Sequence, residues 1–145
     1  LEKKLGYPLL ISLSSGLFAQ LLKGIFHIIR YKRFSFRSFV KTGGMPSSHT
    51  STVVSLCTII GLSQGFTSVL FDICMVFSVI IMYDAAGLRR SVGKQAIVLN
   101  KIITDIELRQ RIQEKRLKEL LGHTPLEVIM GALLGIAWAF FWAYY

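Results

Sequence analysis

The sequence predicts an all-α integral membrane helical bundle, with about four transmembrane helices and one amphipathic helix at the membrane interface. Three observations carry that expectation. The 145 residues are 52% hydrophobic with a mean hydropathy of +0.54, yet the net charge is +9. A soluble domain rarely combines the two, whereas a membrane protein with basic loops does so routinely. The apolar residues gather into runs near the length of a bilayer span, and the basic residues gather between them. The length suits a single membrane-embedded domain over residues 1–145.

The first apolar run covers about 5–29 and the last 125–145, and both meet the roughly 20 residues a span needs. The opening stretch, LEKKLGYPLLISLSSGLFAQ, has some character of a signal peptide, but Leu17 to Ala19 offers no small-x-small cleavage site. The run over 66–86 spans if Asp72 sits near its outer end. The run over 50–63 is short and reaches span length only if its helix begins near Pro46. The tight SQGF turn, Ser63 to Phe66, makes the second and third runs antiparallel neighbours. Cys57 and Cys74 both lie inside apolar runs and read as small buried residues, with no disulfide framework and no zinc spacing.

Two charged regions remain. Arg30 to Lys41 holds five basic residues and no acid, and Arg89 to Glu119 holds nine basic and four acidic residues. In the second, Leu99, Ile102, Ile103 and Ile106 recur at helical spacing, which predicts an amphipathic interfacial helix; a solvated helical connector is the plainer alternative. With four spans both regions fall on one side, and together they hold 14 of the 17 Lys and Arg. The bias toward positive charge inside makes that side cytoplasmic, against only Lys3 and Lys4 opposite. The aromatic end WAFFWAYY anchors the last helix at the outer interface. The expected location is a bacterial plasma membrane or an organelle membrane.

The chemistry concentrates at helix mouths. In GGMPSSHT, Pro46 suits a first helical turn, Ser47 or Ser48 can cap it, and the unpaired N–H groups there attract an anion. Gly43 and Gly44 let the backbone bend closely around such a ligand, and His49 sits in the first turn beside it. In LGHTPLEV, His123 and Glu127 are four apart, so the carboxylate can orient the imidazole. A capping box over Thr124 to Glu127 with Pro125 at the first position explains all but His123. Gln20, Lys23, His27 and Arg30 form a polar seam on the first helix, with Lys23 and Arg30 two turns, about 10.5 Å, apart. Charge at that depth is costly and tends to line a site, although Lys23 can also snorkel. Asp84 ends the third run, and Arg89, Arg90 and Lys94 follow; they suit phosphate forks or a structural ion pair equally. Glu127, Gly131, Gly135, Ala139 and Ala143 form a stripe at spacing four, which packs another helix closely, either within one chain or between two copies. Two histidines, a carboxylate and several cations around one pocket are the equipment for phosphoryl transfer without a metal or other cofactor.

GGMPSSHT, YDAAGLRRSVGKQA and ELLGHTPLEV together resemble the small divergent branch of the type 2 phosphatidic acid phosphatase superfamily, which also includes vanadium-dependent haloperoxidases and bacterial acid phosphatases. The superfamily pattern is KxxxxxxRP, then PSGH, then SRxxxxxHxxxD. Lys23 and Arg30 match the first motif, with Tyr31 in place of proline. Pro46, Ser47 and His49 match the second, with Ser48 in place of glycine. His123 matches the third, with Glu127 in place of aspartate and Leu117 where arginine is expected. The resemblance implies that Lys23 and Arg30 bind phosphate, that His49 donates a proton to the leaving group, and that Glu127 orients the nucleophile His123. Arg116 is one place from the missing arginine, and Arg89 or Arg90 can supply that charge instead.

The expected activity is therefore metal-independent hydrolysis of a lipid phosphate or diphosphate through a phosphohistidine. The rival is an inactive binder of phosphorylated lipid or of a partner; a small transporter or channel is a third reading. Membrane lipids are expected partners, nucleic acid is not, and the Gly131/Gly135 face is the candidate contact for a homo-oligomer.

Overall fold

The computed structural model describes residues 7–32, 44–110 and 122–145. Among them the chain forms α1 (Pro8–Tyr31), α2 (Ser48–Gln64), α3 (Val69–Ala86), α4 (Leu88–Gln110) and α5 (Pro125–Tyr144). Each start has a local cause. Pro8 and Pro125 stand in the first turns of α1 and α5, where a missing N–H costs nothing. Ser47, Ser68 and Thr124 cap α2, α3 and α5 by accepting from the backbone N–H three residues on. Asp72 in the first turn of α3 adds a favourable charge at the positive end of the helix dipole.

Three described helical stretches are long and apolar enough to cross a membrane: Pro8–Ile29, Val69–Thr104 and Pro125–Tyr144. The architecture is an all-α integral membrane bundle. The expected count of four spans is met by length and apolarity in three. The start expected near Pro46 is corrected by two residues: Ser47 is the cap, Pro46 lies before it, and α2 begins at Ser48. That leaves α2 with 17 residues, about 25 Å against a hydrocarbon core of about 30 Å. Its position compensates, because α2 is the central helix and packs on α1, α3 and α5. The amphipathic stretch is also longer than its isoleucine spacing suggests. It begins at Leu88, since only Gly87 interrupts the helical run, and Arg, Lys and Gln are good helix formers.

Small and hydroxylated residues let these helices approach closely. A Cβ on Gly131 would lie 2.5 Å from the Ser47 carbonyl oxygen, and one on Gly135 would lie 2.6 Å from that of Ser51. The stripe of α5 therefore packs on α2 of the same chain. Of the two packings the stripe allows, the described helices show the one within a single chain. On the other side of α2, Ser15 and Ser51 share a hydrogen bond of 2.7 Å, both buried. Farther along, Ile11, Ile59, Ala139 and Ala143 close the core with apolar atoms. Trp138 joins α1 to α5 there: its indole N–H donates to Ser14 Oγ at 3.0 Å, and its ring stacks on Phe18 at 4.6 Å.

Gly65, at φ 91°, turns the chain between α2 and α3, a conformation that side chains disfavour. Phe66 folds back over Gly61, where a Cβ would meet its ring at 2.5 Å. The two helices are thus antiparallel neighbours, as the SQGF turn predicts. The alternation brings the end of α1, the start of α2, the end of α3 and the start of α5 to one end of the bundle. Both basic regions adjoin that end.

Candidate active site

The start of α5 holds two of the chemical groups. His123 is 2% exposed, and its Nδ1 lies 3.1 Å from Glu127 Oε2. The same oxygen accepts the N–H of Thr124 at 3.0 Å, while Thr124 Oγ1 accepts the N–H of Glu127 at 3.3 Å. The capping box is therefore present, and it does not compete with the histidine contact. It fixes the carboxylate that faces the imidazole. Beside a carboxylate that is ionised and so can only accept, an imidazole places its proton on the facing nitrogen and its lone pair on the other.

The start of α2 is joined to this turn through the backbone. The N–H of Ser47 donates to the carbonyl of Glu127 at 3.0 Å. That bond brings the first turn of α2 beside His123, and the rings of His49 and His123 lie 6.1 Å apart at 68°. His49 is exposed while His123 is buried. One ring is thus open to a ligand from outside and the other lies behind it in the protein. Ser47 is fully buried, and its hydroxyl is engaged by the N–H and hydroxyl of Thr50 at 3.4 and 3.1 Å. Its side chain acts here as a cap. Ser48, half-buried at the first helical position, is the more exposed of the two serines.

α1 contributes Lys23, which is 7% exposed. Its Nζ donates to Gln20 Oε1 at 3.1 Å, as the seam at helical spacing predicts. The stem of Lys23 lies under Gly44, whose absent Cβ would stand 3.4 Å from it. Gly44 adopts φ 91°, so glycine serves there for conformation and for close approach. The first helix thus brings Lys23 beside the segment that leads into α2. Arg30 lies two turns farther along α1, and its side chain is outside the described residues.

Two contacts have no signal in the sequence. The first is Gly44 on Lys23. The second joins the end of α3 to the site: the N–H of His123 donates to the carbonyl of Ala85 at 3.1 Å, and Ala85 is 2% exposed. A backbone bond across 38 positions leaves no mark on residue choice, although an alanine beside Asp84 is consistent with the close approach. Through Ala85, the segment carrying Arg89 and Arg90 starts at the site. Their backbone opens α4, and their side chains are outside the described residues, as is all of Arg116. Asp84 is half-buried, and its expected arginine partners lie among those undescribed side chains.

The described ends of four helices therefore converge on one histidine pair, a carboxylate and a buried cation. A family model for the "Divergent PAP2 family" matches residues 6–138. The chain belongs to the divergent PAP2 family. A protein of Bacillus subtilis (strain 168), named as the uncharacterized membrane protein YuiD, is 38% identical over 156 aligned residues; the alignment covers 100% of this chain and 99% of the relative. No solved structure matches. Membership of this family and the three membrane-length stretches make the chain a membrane protein of a phosphatase-related superfamily.

Proposed function

We infer that the protein is a metal-independent phosphatase acting on a lipid phosphate or diphosphate through a phosphohistidine on His123. The observation that carries this reading is the pairing of a buried His123, held by Glu127 at 3.1 Å, with an exposed His49 whose ring is 6.1 Å away. Simple anion binding has no need of a nucleophile, an orienting carboxylate and a second histidine together.

In the proposed reaction, His123 Nε2 attacks phosphorus and the P–O bond to the leaving group breaks. Protonated His49 gives its proton to the departing oxygen. Neutral His49 then takes a proton from water, whose oxygen attacks the phosphohistidine. The P–N bond breaks, phosphate leaves, and His123 is restored. Lys23 and the first-turn N–H groups of α2 offset charge on the phosphoryl oxygens. Arg30, Ser48 and one of Arg89, Arg90 or Arg116 complete the proposed phosphate shell.

The proposed site faces the cytoplasm, supported by the 14 of 17 basic residues in the two regions adjoining it. A lipid substrate is supported by the depth of Lys23 within the Pro8–Ile29 span and by exposed Leu126 and Met130 flanking Glu127. The test is to trap the purified protein with labelled substrate and quench in alkali, where phosphohistidine survives. Label on wild type and none on His123→Gln supports the mechanism; equal label on both removes His123 as the nucleophile.

One observation favours a second reading, binding without turnover: Leu117 stands where the superfamily pattern has arginine. In that case orthovanadate binds and no label is trapped. The channel reading is disfavoured by the apolar closure of the core at Ile11, Ile59, Ala139 and Ala143.

A further inference from the structure

α4 is the element that the reaction leaves without a task. It begins one residue after α3, with Gly87 at φ −101° and ψ −82° between them. The apolar stretch Val69–Thr104 is 36 residues long, about 54 Å as helix, whereas about 20 residues cross the hydrocarbon core. α3 already supplies 18 of them. The stretch is therefore longer than one span needs, and the apolar residues of α4 are its surplus.

Most of those residues share one side: Val92, Leu99, Ile102 and Ile106 fall within one stripe at helical spacing, each between 45% and 54% exposed, with Val98, 58% exposed, at its edge, while Ile97, 39% exposed, lies on the lysine side. Gly93 and Asn100, seven apart on another face, are buried. Lys94 and Lys101, also seven apart, are exposed on the side away from the stripe. Over the whole helix five basic residues face two acidic ones. Among the described helices α4 packs only on α3, so no described helix of this chain covers the stripe.

We propose that α4 is a docking surface for an anionic lipid bilayer. Its isoleucine, leucine and valine stripe enters the acyl boundary, and its lysines meet acidic head groups. The occupant follows from two facts: the helix is tethered one residue from a membrane span, and its net charge is opposite to that of acidic lipids. This inference is independent of the phosphatase reading, although the Ala85–His123 hydrogen bond puts the α3–α4 joint in direct contact with the site.

The test uses full-length protein in nanodiscs, with spin labels at Leu99→Cys, Ile106→Cys or Lys101→Cys on a Cys57→Ala, Cys74→Ala background. In discs containing phosphatidylglycerol, oxygen should relax the labels at 99 and 106, and a water-soluble nickel chelate the label at 101. Replacing both lysines by glutamine should lower the docked-to-free ratio by about fivefold per lysine. Amide exchange on the unmodified protein serves as a second readout, with 92–106 better protected in anionic than in zwitterionic discs. Chelate access at 99 and 106 in both lipids, or equal exchange in both, would overturn the proposal. So would close spin–spin coupling between copies at 99, which would assign the stripe to a second chain.

Discussion

Glu127 Oε2 lies 3.1 Å from His123 Nδ1 and 3.0 Å from the backbone nitrogen of Thr124, so one carboxylate oxygen both caps a helix and orients an imidazole. The two roles separate under substitution. Glu127→Gln keeps a side chain able to reach the Thr124 N–H but loses the charge that supports the imidazolium-like form of His123. It should lower turnover by about 10²- to 10⁴-fold, the range for a group that orients or exchanges protons with a catalytic base, with a melting temperature in detergent near that of wild type. Glu127→Ala should lower both. A turnover loss in Glu127→Gln that tracks a fall in melting temperature would reduce the contact to a structural one.

The exposed His49 should be separable from His123 by leaving group. If His49 protonates the departing oxygen, His49→Gln will be severely impaired with alkyl phosphates and much less so with p-nitrophenyl phosphate, whose leaving group needs no proton. His123→Gln should be dead toward both. Equal impairment of His49→Gln across leaving groups would assign that ring to binding.

Lys23 is a buried cation in a membrane helix, and such a group is retained for something other than stability. Lys23→Met should leave thermal stability unchanged or higher and weaken orthovanadate binding by roughly 10- to 100-fold, the worth of one charge-assisted hydrogen bond. Titration calorimetry on the solubilised protein reads the second effect. Unaltered vanadate affinity would return Lys23 to a snorkelling role.

Ser47 and Ser48 are adjacent and should behave differently. Ser47→Ala removes the cap of α2 and should cost about 1 kcal/mol of stability. Ser48→Ala should change stability little and affect anion affinity more, because that serine is the more exposed and does not cap the helix. On the opposing helix, Gly131→Val forces a side chain against the Ser47 carbonyl and should cost about 1–3 kcal/mol, seen as early aggregation on heating. A stable Gly131→Val protein would contradict the packing of α5 on α2.

Much of this arrangement is legible in the residues. Long apolar runs announce α1 and α5, and Thr124 to Glu127 spells a capping box that the structure contains. The spacing of Gln20 and Lys23 anticipates their hydrogen bond. These features are local, set within one or two turns of helix. What the sequence leaves open is long-range. Small residues at 131 and 135 indicate close packing but not against which surface, and only the neighbouring Ser47 and Ser51 carbonyls decide it. The start of α2 is missed by two residues because Pro46 suits a first turn and equally suits the bend before a cap. Gly44 over the Lys23 stem and the Ala85 carbonyl bonded to the His123 N–H join distant positions, which residue choice alone does not pair.

The most direct measurement is phosphate release by the purified protein in lipid micelles, with chelator present, across a panel of lipid phosphates and diphosphates, and His123→Ala run beside it. The account predicts release from at least one lipid substrate by wild type and none by the variant. Release that survives in His123→Ala, or no release from any substrate, would contradict it.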